Sequence, residues 1–150
     1  MCGGIAFKLS QIPRKELNKR YNKTQIENFE KKDEIQSYFW DPEPVLPVNE
    51  NGDIRLVDWG NRSSDVKFPK TGWAKQESID KGKWSYLNPK KVIIPVEKGY
   101  EKGIWFNVKS NGFEGLLVGN GTSERVYMKT KKADSNYLKL TKHNRQPIEV

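Results

Sequence analysis

The chain opens MCGGIAF, and Cys2 is its only cysteine. An initiator Met is commonly trimmed when the next residue is small, as Cys is. Trimming leaves Cys2 with a free α-amine and a thiol on adjacent carbons. That 1,2-aminothiol can do chemistry closed to any internal side chain. The alternative is a small, inert Cys buried at the head of a first strand. Two other groups draw attention. His143 is the only histidine and lies two residues before Arg145. Glu101, in GYEK, is by itself one of many carboxylates in a Lys-rich stretch.

Composition bounds what these groups can do. The 150 residues suit one domain with an ordinary buried core. One Cys excludes an internal disulfide and a cysteine-based structural zinc site, and one His weakens other metal schemes. No cofactor or metal is therefore expected. The first apolar run is too short for a signal peptide, and no stretch is long enough to span a membrane. A cytoplasmic, reducing setting is expected. Lys and Arg number 27 against 19 Asp and Glu, a formal charge of +8. Such a balance suits a polyanion. Five Trp and six Tyr among these cations suit single-stranded nucleic acid, where bases stack on rings and cations hold phosphates. The same composition also fits a solvated Lys-rich surface over an aromatic core.

The elements that must position these residues read as α+β. GGIAFKL is a strand, and PRKELNKRYN a helix with Pro13 in its first turn. KTQIENFEKKDEIQSYF extends that helix or forms a second one, with Ile26, Phe29 and Ile35 on its apolar face. The prolines of WDPEPVLPV force extended chain, and ENGD turns it into IRLVDWG. NRSSDVKFPKTG is loop, and WAKQESIDKGKW a short helix broken near Gly82. KVIIPVEKGYEKGIWFNVK holds two strands around a Gly-containing turn. FEGLLVG and ERVYMKT are further strands, DSNYLKL a helical turn capped by Asp134 or Ser135, and HNRQPIEV an extended end. Mostly antiparallel strands with few helices make a barrel-like core the expected architecture.

Four stretches, in order, resemble the SOS response-associated peptidase (SRAP) domain family. MCGGIAF is similar to its Met-Cys-Gly-Arg start. PEPVLPVNENGDIRLVDWG is similar to its proline-led strand, turn and Trp-Gly strand end. KKVIIPVEKGYEKG resembles its Pro-Ala-x-Gly-Phe-Tyr-Glu-Trp stretch. YMKTKKADSNYLKLTKHNRQPIEV resembles its last strand, helical turn and closing His-Asp-Arg-Met-Pro. The resemblance runs from Cys2 to the C-terminus and implies a single SRAP-like domain over residues 1–150.

The family binds single-stranded DNA and links covalently to abasic sites through a terminal Cys. The resemblance implies that the Cys2 α-amine forms a Schiff base with the ring-opened deoxyribose aldehyde. The thiol then closes on the imine carbon to give a thiazolidine. An α-amine, with a reference pKa of about 7.7–8.0, suits this near neutral pH, and a thiol near 8.5 supplies thiolate. By the same resemblance Glu101 handles the amine proton, and His143 acts as acid and base on the sugar hydroxyl. Arg145 and Lys75 stand where the family has Arg, as phosphate contacts, and Trp59 would stack on a base. Pro42 matches a structural proline. Three departures stand out. Gly4 replaces an Arg. Trp73 replaces an Asn that holds the reactive terminus and the sugar, with Asn61 as a spatial substitute. The chain also ends soon after the closing motif, as in a short bacterial or phage-type member. The expected partner is single-stranded DNA carrying abasic sites, bound by a monomer. Two other readings stay open. One is an N-terminal-Cys peptidase that processes itself. The other is a single-strand binder without the chemistry.

Overall fold

The structure is a computed structural model and describes residues 2–150. The chain runs through β1 (Gly4–Phe7), α1 (Arg14–Arg20), α2 (Lys23–Glu30), β2 (Ile35–Tyr38), β3 (Val45–Glu50) and β4 (Asp53–Asp58). It continues through β5 (Trp73–Lys75), α3 (Gln76–Asp80), β6 (Lys90–Ile94), β7 (Lys98–Glu101) and β8 (Ile104–Asn107). It closes with β9 (Phe113–Asn120), β10 (Ser123–Lys132), α4 (Ser135–Thr141) and β11 (Arg145–Pro147). The fold is α+β, as the sequence implies.

The strands form two sheets. The smaller has the order β2-β1-β7-β8, all antiparallel. The larger has the order β11-β10-β9-β6-β3-β4, with β5 added in parallel to β10. Both feed one buried cluster. Ile5 and Phe7 of β1 and Ile35 of β2 share it with Leu46, Val48, Ile94, Phe113, Val126 and Met128. Each such side chain contributes roughly 1.5–3 kcal/mol by leaving water. Alternation dictates this: β2 reads buried-exposed-buried from Ile35 to Ser37, the period of a half-buried strand.

Three expectations need correction. The larger sheet does not close into a barrel. Its β4 end meets β10 through an isolated Trp59–Val126 bridge. Gly60, at φ +57, then turns the chain into the loop of residues 61–72, and β5 takes up the adjoining edge of β10. The helical tract also ends earlier than its spacing implies. Tyr21 is extended, and Asn22 starts a separate α2 with a capping box to Gln25. Beyond α2 the chain passes through Asp33 at φ +49, so Ile35 lies on a strand and not on a helical face. The stretch around GYEK holds three strands, and β6 belongs to the other sheet.

Two hairpins show the same turn chemistry. Asn51–Gly52 joins β3 to β4 with both residues at positive φ, as a tight two-residue turn demands. Lys102–Gly103 joins β7 to β8 in the same way, with Lys102 at φ +49. This second turn places Glu101 at the very end of β7. Its Lys102 ammonium donates to the Lys142 carbonyl at 3.3 Å, pinning the hairpin to the end of α4. The Asp134 carboxylate caps α4 by accepting from the Tyr137 amide at 2.8 Å. Lys142, in the left-handed region at φ +62, stops the helix and delivers His143. Asp134→Ala should therefore lower stability by about 0.5–2 kcal/mol in urea unfolding; an unchanged midpoint would remove this cap from the account.

Candidate functional site

Cys2 leads into β1 and is fully buried. Its thiol donates to the Gly4 carbonyl at 2.9 Å. Beneath it lies Gly99 of β7. A Cβ there would stand 3.0 Å from the Cys2 sulfur and 2.3 Å from the Phe106 ring, so the position admits no side chain. Burial pushes the thiol up to about 12, and main-chain hydrogen bonds at Tyr100 and Gly4 offset only part of that. The expected ready supply of thiolate is therefore absent from this state of the site, and the thiol stays protonated through neutral pH.

Strand pairing brings Glu101 to the same place. Gly3 donates to the Tyr100 carbonyl at 2.9 Å, so the start of β1 runs beside the end of β7. The Glu101 carboxylate is buried, and its charge is one cause of the raised Cys2 thiol. His143 Nδ1 lies 3.6 Å from Glu101 Oε1. This contact is not an ion pair at neutral pH. Nδ1 accepts the Arg145 amide hydrogen at 3.1 Å, and desolvation holds the imidazole below its ordinary value of 6.5, against the pull of Glu101. Both effects favour the neutral ring, with Nδ1 as an acceptor. A carboxylate and an imidazole nitrogen thus lie side by side, with the carboxylate close enough to Cys2 for its charge to act on the thiol, an arrangement suited to moving protons.

Trp73 supplies an unexpected part. Its indole N–H donates to the Cys2 carbonyl at 2.9 Å. Trp73 thus holds the start of the chain directly, through its ring N–H. Its ring packs on Phe39 at 4.8 Å and near Trp59 at 6.0 Å. Tyr137, in a stretch read from sequence only as a helical turn, received no role there. Its hydroxyl is buried and has no hydrogen-bond partner among the described residues. Its ring lies edge-on to Phe106 at 5.4 Å. Burial first, and then the charges of Cys2 and Glu101, push the phenol far above its ordinary range. The phenol therefore stays neutral, close enough to Cys2 and Glu101 for their charges to act on it.

Other expected contacts lie elsewhere or are engaged. Trp59 is no stacking surface: it is 1% exposed, and its N–H donates to the Gly72 carbonyl at 2.9 Å. Asn61 cannot stand in for the missing Asn. Its amide donates to the Ser63 and Phe68 carbonyls and its oxygen accepts from the Ser63 amide, so it is the buried organiser of its own loop. Arg145 is closer to the centre but its fork is used internally. It donates to both Glu77 oxygens, at 2.6 and 3.1 Å, and to the Thr130 carbonyl at 2.9 Å. Those hydrogen bonds hold the Glu77 carboxyl down to about 2. Lys75 is exposed on β5. Gly4 is covered by aromatic rings, and Pro42 lines a surface cleft with Arg20, Arg62 and Arg125 that includes none of Cys2, Glu101 or His143.

Among the described residues, no group of three or more His, Cys, Asp or Glu is placed to hold a metal ion. Likewise, no helix there is long and apolar enough to cross a membrane.

Neither a family model nor a curated protein matches the chain. The fold does have a counterpart among solved structures. It is similar to the crystal structure of a Bacteroides thetaiotaomicron protein, a target of the Northeast Structural Genomics Consortium. The two share 13% identity and a TM-score of 0.55, over 97% of this chain and 75% of that one. The likeness is one of fold.

Native protein should resist an aromatic disulfide reagent at pH 8, and the denatured chain should react fully within minutes. Equal rates in both states would show that the thiol is open to solvent. The titration signs agree with this picture. The raised thiol favours the folded state most fully below its ordinary value of 9.0, and that contribution is lost as pH rises toward about 12. The depressed imidazole favours it above pH 6.5, a contribution lost as pH falls.

Proposed function

We propose that this protein is an SRAP-like binder of single-stranded DNA that captures abasic sites on Cys2. The observation that carries the reading is the convergence of three groups from distant parts of the chain. The buried Glu101 carboxylate, whose charge acts on the Cys2 thiol, lies 3.6 Å from the His143 imidazole. The Trp73 indole fixes the Cys2 carbonyl. The sequence resemblance supplies the substrate. Met1, whose removal the chemistry requires, lies outside the described residues.

The steps balance without an oxidant or a cofactor. The Cys2 α-amine adds to the aldehyde carbon, and the resulting carbinolamine loses water to give an imine. The thiol adds across that C=N bond. Its sulfur bonds to carbon and its proton ends on nitrogen, closing a five-membered thiazolidine. One water leaves overall. Glu101 and His143 are the groups that take the proton from the amine and return it. Thiol burial fits this order of events. The imine carbon forms on the same residue, so sulfur needs no access to bulk solvent. A protonated imine also places beside the sulfur the positive charge that draws a thiol's pKa down. The same burial disfavours turnover of external peptides, which a hydrolase nucleophile must meet as thiolate.

The test is an oligonucleotide with one abasic site, incubated with Met-trimmed protein and resolved on a denaturing gel. A shifted band is expected, absent in Cys2→Ala and in a protein with one residue added before Cys2. A band that survives either change would overturn the terminal-amine chemistry. Trp73→Phe keeps the ring but removes the donor to Cys2, and should slow adduct formation about two- to tenfold, the worth of one hydrogen bond.

A further inference from the structure

The outer face of the smaller sheet carries an aromatic surface that the Cys2 chemistry does not use. Register places Tyr38, Gly4, Tyr100 and Trp105 in one row across β2, β1, β7 and β8. Trp40, just past β2, stacks on Tyr38 at 4.9 Å with 25° between the planes. It also meets Tyr100 edge-on at 6.1 Å. Tyr100 packs edge-on against Trp105 at 5.0 Å. Despite these contacts the rings remain open to water: Trp40 is 59% exposed and Trp105 36%. Large aromatic faces left in solvent in this way mark an interaction surface.

Gly4 makes the surface possible. A Cβ at this position would stand 2.6 Å from the Tyr38 ring and 3.2 Å from the Tyr100 Cβ. Any side chain there would push the two tyrosines apart. Where the resemblance leads one to expect a cation, the chain has an empty position roofed by rings. The next row on the same face is Gln36, Ala6, Lys98 and Asn107. It offers the Asn107 amide and one ammonium to base edges or phosphate, while the Gln36 amide is engaged by Glu34 and the Tyr38 hydroxyl. Glu34, 4.0 Å from the half-exposed Lys98, holds it only loosely. The half-buried Asp41 carboxylate accepts from the Tyr38 amide at 2.9 Å.

We propose that this row is a stacking platform for the unpaired bases of a single strand, with Trp40 and Trp105 as its two open rings. Flat rings accept bases of any identity, and the +8 chain supplies the matching charge for a polyanion. The inference takes the identity of the polymer from the preceding reading but not its chemistry. Undamaged single strands should bind here. Trp40 also lies over Gly3, where a Cβ would be 3.1 Å from its ring, so the platform begins one residue from Cys2.

The probe is an undamaged 15-residue oligothymidine, followed by tryptophan fluorescence quenching and anisotropy at fixed salt. Wild type should bind with quenching, and a duplex of the same length should bind more weakly, because its bases are already stacked. Trp40→Ala with Trp105→Ala should weaken binding at least tenfold while circular dichroism stays native; Trp40→Leu with Trp105→Leu, which keeps apolar bulk, should fail similarly. Tyr86→Ala, at a 72% exposed ring outside this row, should bind like wild type. Equal binding by the double variants, equal binding to duplex, or no binding of undamaged strand by wild type would overturn the platform. So would a concentration-dependent dimer in light scattering that the double variants abolish, since the surface would then be a contact between copies. Binding without any abasic crosslink would leave the platform standing and defeat the Cys2 chemistry alone.

Discussion

One hydrogen bond ties the molecule's two halves together at its start. The Trp73 indole, on the β5 edge of the larger sheet, donates to the carbonyl of Cys2, which leads into β1 of the smaller sheet. Without it, the hydrogen bonds of the first residues would all go to the smaller sheet and its edge, through β1 pairing and through Gly3, which donates to Tyr100 and accepts from Phe39. With it, the Cys2 backbone is fixed from both sides, and the thiol falls onto the one spot, above Gly99, where no side chain competes for the space. A tertiary contact thus sets a geometry that local sequence could not. Gly3 and Gly4 have little conformational stiffness of their own.

A second layer of constraint surrounds that point. The Lys102–Gly103 turn reaches across to the end of α4, and the left-handed Lys142 there redirects the chain into His143. Arg145 then locks the following strand, gripping Glu77 at the start of α3 and Thr130 on β10. Three basic residues near the site thus act as struts, each satisfying a carbonyl or carboxylate or ending a helix. The positive charge that composition suggests for a polyanion is partly committed to the fold itself.

What the sequence made legible was local chemistry. Prolines around Val45, the Asn51–Gly52 turn and the Asp134 cap each state their conformation through φ preferences or a side-chain acceptor, and the structure follows them. The position of Cys2 at a strand head was equally readable. Misreadings came where direction matters. A Trp at a strand end can face out or in, and Trp59 faces in because β10 and the loop of residues 61–72 close over it. Asn61 resembled a substrate contact, yet it lies where a loop needs its amides answered. EIQSY carries both a helical spacing back to Ile26 and a strand alternation. Pairing with β1, a long-range event, decided between them. The aromatic row could not be seen at all, because its members come from three separate segments that only the register aligns.

The burial of Cys2 has a bearing on how long such a group survives. Oxidants attack thiolates that water and small molecules can reach, and each step beyond sulfenic acid is lost chemistry for a protein with no second cysteine to rescue it. A sulfur kept protonated, dry and donating to a carbonyl is a poor target for peroxide. The same packing that slows ionisation therefore acts as a preservative. In the proposed chemistry it would keep the thiol reduced until a condensation at the neighbouring nitrogen brought its partner to it.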